Sequence, residues 1–206
     1  MRKTIPILVL AAMCAAPVAA APPTLTLKVA PTVVAYGGAT TASGVLSTKK
    51  SGQAIDIQAQ DCGQTAFKKV VSATTTTGGA FSAAAKPTMN ANYQAKNKGA
   101  TSPTVAVKVA PVLSLQKLSL GKFKVSVTAA QSFVAKYVVF QRLRNSKWVT
   151  LKKVTLATVV TTTAPTQVTS STFKIKLPAK LRIRSILPAT QAAACYLPAK
   201  SKVIRS

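Results

Sequence analysis

The chain has 206 residues, and its 28 Lys+Arg stand against 2 Asp+Glu with no His, a formal net charge of +26. Asp56 and Asp61 are the only side-chain carboxylates. General acid–base catalysis draws on His or placed carboxylates, glycoside hydrolysis on two acids, and Mg²⁺ or Ca²⁺ sites on several oxygen ligands. The composition therefore argues against an enzyme and offers no catalytic, cofactor-binding or metal-ligating residue. Hydrophobic residues make up 48%, enough to build a packed core rather than a disordered chain.

At the N-terminus, Arg2 and Lys3 precede an apolar run from Ile5 to Cys14 and a small-residue stretch, Pro17 to Ala21. That is the order of a secretory signal peptide over residues 1–20, with cleavage expected after Ala20 and Ala21 as the alternative. The run is too short to span a bilayer, and no later segment is apolar enough to do so. The mature chain is thus expected to be secreted, periplasmic or associated with the cell envelope. It keeps a net +24 and two cysteines, Cys62 and Cys195, after Arg2, Lys3 and Cys14 are removed. In an oxidising compartment Cys62 and Cys195 are a candidate disulfide, but they fall in different halves and a bridge would have to cross between them. Two buried free thiols are therefore expected, and the bridge is the alternative.

Period-two alternation then dominates. Leu25, Leu27 and Val29 alternate with Thr and Lys, and Ile55 and Ile57 with Asp56 and Gln58. Further on come Phe123, Val125 and Val127, then Phe173, Ile175 and Leu177, then Leu181 and Ile183. Each pattern places one set of side chains on a core face and the other in water. Turn signals separate the runs, among them Gly37-Gly38, Gly78-Gly79, Gly121 and Asn145-Ser146. Short strands punctuated in this way predict an all-β antiparallel sandwich.

The chain also repeats weakly. Ile55–Gln58, Phe67–Val71, Ala80–Ser82 and the stretch to Tyr93 recur in order as Val138–Gln141, Trp148–Val154, Thr172–Lys174 and Leu181–Ile186. The halves, 22–108 and 109–206, are each of immunoglobulin-module size. Val139-Phe140-Gln141-Arg142 followed by Lys147-Trp148-Val149-Thr150-Leu151 resembles tandem immunoglobulin/fibronectin-like modules of exported bacterial proteins, as does Pro87 leading to Tyr93-x-Ala95. The resemblance implies two tandem immunoglobulin-like β-sandwich domains, a tyrosine-corner role for Tyr93 and an extracytoplasmic setting, and it carries no catalytic residues. Trp148, Phe81 and Phe173 are expected in the core.

The charge is unevenly shared. Residues 22–108 hold nine Lys and both Asp, a net +7, whereas residues 109–206 hold twelve Lys and five Arg with no acid, a net +17. Lys174, Lys176, Arg182 and Arg184 fall at outward positions of consecutive strands, with Lys180 in the turn between them. Were those strands neighbours, they would form a positive lattice that only ions or a polyanion could compensate. Solubility alone is met by a net charge of about 2–8 in a small domain. The expected partner is therefore an anionic cell-envelope polymer or lipid surface. Motifs for sequence-specific nucleic-acid recognition are missing from the sequence. The alternative is an accessory module for a neutral glycan or a protein, read by an exposed aromatic such as Tyr137 or Tyr196.

Overall fold

The computed structural model describes residues 21–192 and 194–206, and the predicted signal peptide lies outside them. The fold is all-β, with several mainly antiparallel sheets. In the first half the strands are β1 (Lys28–Ala30), β2 (Val33–Ala35), β3 (Thr40–Val45), β4 (Ala54–Asp61) and β5 (Lys68–Thr74), followed by β6 (Ala80–Ala85), β7 (Ala91–Asn97), β8 (Ala100–Thr101) and β9 (Val105–Ala110). They form one sheet in the order β1-β3-β6 and another in the order β2-β9-β7-β4-β5, with β8 paired to β7. Among the described residues, the single parallel pairing is β2 on β9.

The alternating runs explain why these segments pair. Ile55, Ile57 and Ala59 of β4 are buried while Asp56, Gln58 and Gln60 face outward. The buried set meets Val29, Ala42, Phe81, Tyr93 and Val107 from the surrounding strands in one apolar cluster. Gly44 of β3 is required there, because a Cβ would strike the Thr26 carbonyl and the Phe81 ring.

In the second half β10 (Val112–Ser119), β11 (Lys122–Ala129), β12 (Tyr137–Arg144), β13 (Lys147–Thr155), β14 (Thr158–Thr161) and β15 (Gln167–Lys174) precede β16 (Arg182–Leu187), β17 (Ala199–Lys200) and β18 (Ile204–Arg205). The sheets run β10-β11-β15-β14 and β13-β12-β16-β17, with β18 also on β16. Their inner faces meet through three phenylalanines. The Phe140 ring lies 5.5 Å from Phe123 and 5.0 Å from Phe173, and Phe123 lies 5.8 Å from Phe173. Such tilted and edge-on pairs contribute about 0.5–1.5 kcal/mol beyond area burial.

The weak sequence repeat is also a repeat of pairing. β3 pairs with β6 as β11 pairs with β15, and β4 takes β5 and β7 as β12 takes β13 and β16. Even the irregularity recurs, since the β4–β5 register shifts after Ile57 and the β12–β13 register shifts after Phe140.

The halves meet without a free linker. Val34 and Val109 belong to the apolar cluster of the second half, and Tyr36 and Met89 pack against it. The Tyr196 hydroxyl accepts from the Ala130 N–H (3.1 Å) and donates to the Thr88 carbonyl (2.9 Å). Asn90 donates from Nδ2 to the Ala194 carbonyl and accepts the Val109 N–H on Oδ1, at 3.0 and 2.8 Å. The Cys62 and Cys195 sulfurs are bonded across a sequence separation of 133, so the pair bridges the two halves and is not two buried free thiols.

Candidate polyanion-contacting surface

The strand directions gather the basic residues at one end of the second half. β10 and β11 turn at Leu120-Gly121, β12 and β13 at Asn145-Ser146, and β15 passes to β16 through residues 175–181. All three connections lie at the end away from the first half, because β10 starts at the junction, β11 returns to it, and the registers fix the rest. Asn145 and Ser146 both take positive φ, 46° and 60°, the geometry of a tight two-residue hairpin.

Lys174, Lys176, Arg182 and Arg184 would form a single lattice only were their strands neighbours, and the pairing shows that they are not. β15 pairs with β11 and β14, while β16 pairs with β12, β17 and β18, so the two strands belong to opposite sheets. The connection between them crosses from one sheet to the other, carrying Lys176 and Lys180 over the end of the sandwich. Alternation reports which way a side chain faces; it is silent on which strand lies alongside.

Like charges do sit opposite one another, between other partners. Lys122 is the register partner of Lys174, Arg144 of Lys147, and Arg182 of Arg205. Such pairs are destabilising when nothing of opposite sign intervenes, and the sequence offers no Asp or Glu between residues 109 and 206. The one salt bridge among the described residues, Lys69 Nζ to Asp56 Oδ1 at 2.9 Å, is in the first half.

Arg184 is held differently from the lysines. Its guanidinium stacks 3.9 Å from the centroid of the Trp148 ring, and its Nε donates to Gln141 Oε1 at 3.0 Å. Burial lowers its pKa from the ordinary arginine value, leaving it cationic. Stacking and one hydrogen bond fix the plane of the fork, and that geometry suits bidentate contact with a phosphate, sulfate or carboxylate. Lys153 sits 5.0 Å over the Tyr137 ring on the same outer face.

Trp148 is thus a surface platform for Arg184 and not the core residue that alternation predicts; it is half-buried. The cause is the bulge in β13. Counting by twos from buried Val154 would turn Trp148 inward, but Leu151 is skipped between Lys152 and Thr150 in the pairing with β12, which reverses the parity. Phe81 and Phe173 are buried as expected. Tyr196, expected as an exposed aromatic, is buried at the junction, and its hydroxyl pKa is pushed up to about 12 by burial first. Tyr93 is buried likewise, and its pKa is raised to about 12 by desolvation and then by Asp61.

One residue escaped sequence reasoning. Arg142 follows Val138 and Phe140 on the inward parity of β12, and its Nε is buried with no hydrogen-bond partner among the described residues. A buried donor left in this state costs about 1–3 kcal/mol. The signal was present, as a charge at an even step from two core residues.

The outer face of the first half is chemically unlike this. Gln94 Nε2 donates to Gln58 Oε1 at 2.8 Å and Asn92 faces Gln60 at 3.5 Å, an amide ladder beside the Asp56–Lys69 pair. A polar cleft of about 240 Å³ next to Cys62 is lined by Gln60, Asp61, Gln64, Asn92 and Lys108. Burial raises the Asp61 pKa, with Lys68 opposing. No group of three or more His, Cys, Asp or Glu among the described residues is placed to hold a metal, and no helix among them is long and apolar enough to cross a membrane. No protein-family model matches the chain, and no curated protein sequence matches it.

Proposed function

We propose that the protein is an exported, non-catalytic pair of immunoglobulin-like modules with a structural or adhesive role at the cell envelope, held to anionic polymers or surfaces by the basic end of its second half. Strand orders β10-β11-β15-β14 and β13-β12-β16 with β17 and β18 support the immunoglobulin-like assignment, as does the matching pairing in the first half. The observation that carries the functional reading is the convergence of three like-charge register pairs and the Lys176–Lys180 crossover at one end of a half without a single acid. Such a surface is compensated by counterions, and their release on binding a polyanion drives association.

Retention on immobilised heparin tests the proposal. The mature chain is expected to bind at about 50 mM salt and to elute steeply as salt rises, since each cation that meets an anionic group releases counterions and log affinity falls linearly with log salt. Passage without retention at the lower salt defeats it. The cleft beside Cys62 favours the second reading, a neutral glycan held by amides, for which binding is insensitive to salt and abolished by Asn92→Ala.

A further inference from the structure

The hairpin joining β10 to β11 ends in residues that water does not explain. Two-residue turns favour Asn, Asp and Gly, yet the first turn position is Leu120, 78% exposed and the most exposed large hydrophobic side chain among the described residues. Gly121 supplies the left-handed position, φ 69°, and its carbonyl accepts the Ile175 N–H at 2.9 Å, tying the tip to the segment after β15. Leu118, 49% exposed, is the residue skipped where the register shifts between Lys117 and Ser119, so the bulge leaves a second apolar side chain exposed two residues from Leu120.

Lysines surround this tip. Leu120 and Ile175 line a cleft of about 570 Å³ together with Lys122, Lys174 and Lys176. Lys117 stands at the bulge, exposed. A linear polyanion has no use for exposed leucines, whereas an anionic bilayer meets both features at once, with acyl chains below and phosphates at headgroup depth.

We propose that the β10–β11 tip is a membrane-interface anchor: Leu120 and Leu118 enter the headgroup–acyl boundary of an anionic bilayer, and Lys122, Lys174 and Lys176 contact lipid phosphates around them. The inference rests on the basic end being the anion-contacting surface, and narrows it to one class of surface for this tip. Orientation follows, since the second half stands end-on with its strands steep to the membrane and the first half directed away.

The mature chain is tested against vesicles of phosphatidylcholine with and without about 30% phosphatidylglycerol, with heparin elution measured in parallel. Binding to the anionic vesicles alone is expected. Leu120→Ser is expected to weaken vesicle partitioning about tenfold and to leave heparin elution unchanged, and removing Lys122 or Lys174 to cost about fivefold each. A Trp introduced by Leu120→Trp should be quenched by acyl-brominated lipid beyond the quenching of Trp148 in the parent. Equal vesicle binding by the parent and Leu120→Ser overturns the anchor. Heparin retention without vesicle binding also overturns it while leaving the proposed function standing, and failure on both surfaces removes the two together.

Discussion

The two halves share a central set of strand pairings and differ in what they turn outward. On the first, β4 and β7 present amides that bond one another, with Asp56 paired to Lys69. On the second, the equivalent β12 and β16 present Gln141 and Arg184 in the same cross-strand position, with the amide oxygen now serving a guanidinium. A self-satisfied ladder has been replaced by one with surplus donors. The inner faces need only apolar volume and alternation, which both halves meet. The outer faces are free to diverge, and one fold therefore carries two unlike surfaces.

Neutralising Lys174, Lys176, Arg182 and Arg184 to Ser should have the largest effect. For every cation that no longer meets a phosphate-type group, the slope of log affinity against log salt falls by about 0.7–0.9, so heparin elution should move sharply to lower salt. Four serines placed at Lys28, Lys49, Lys50 and Lys98 of the first half should change it far less, and an equal shift would erase the distinction between the halves. Next comes the covalent tie between them. Cys62→Ser with Cys195→Ser should lower unfolding free energy by about 2–5 kcal/mol, read by denaturant titration.

A smaller effect of opposite sign is expected from Arg205→Glu. Arg205 is exposed and faces Arg182 across β16 and β18. An opposite-charge pair there should raise stability by about 0.2–1 kcal/mol while weakening heparin retention. A fall in stability instead would show that the like-charge pairs are not strained. The smallest change should come from Asp56→Asn. Lys69 first and Ser72 second hold the Asp56 carboxyl below its ordinary value. Any stability it confers is present above the ordinary carboxylate pKa and disappears as the pH falls through the lower folded value. The pair is solvated, so thermal unfolding near neutral pH should barely move.

Alkali tests the core of the first half at Tyr93 and the junction at Tyr196. Tyr93 and Tyr196 both have folded pKa values raised from 10 to about 12. The unfolded phenols ionise first, so their contribution is intact below pH 10 and fades as the pH rises toward 12. Replacing Tyr93 with Phe should flatten that decline, whatever it does to stability at neutral pH.

Much of this architecture was legible in the pattern of residues. Phe123, Val125 and Val127 alternate in the sequence and all three are fully buried, and Asn145-Ser146 marks a true hairpin. Strand pairing was not legible, because β15 and β16 are consecutive and yet separate at a crossover of seven residues, 175–181, whose composition does not announce a change of sheet. Trp148 was misplaced by a single bulged residue, which leaves no mark on hydrophobicity but reverses every side chain beyond it. The basic residues were found by counting; their gathering at one end needed the directions of six strands.

The bond between Cys62 and Cys195 encloses the last strands of the first half and nearly all of the second. A protease that cuts the exposed strand β14, or either hairpin tip, therefore releases nothing. The nicked protein should migrate as one species on a non-reducing gel and fall into two pieces only after a thiol is added. The basic end can thus be cleaved and still remain covalently fastened to the rest of the chain.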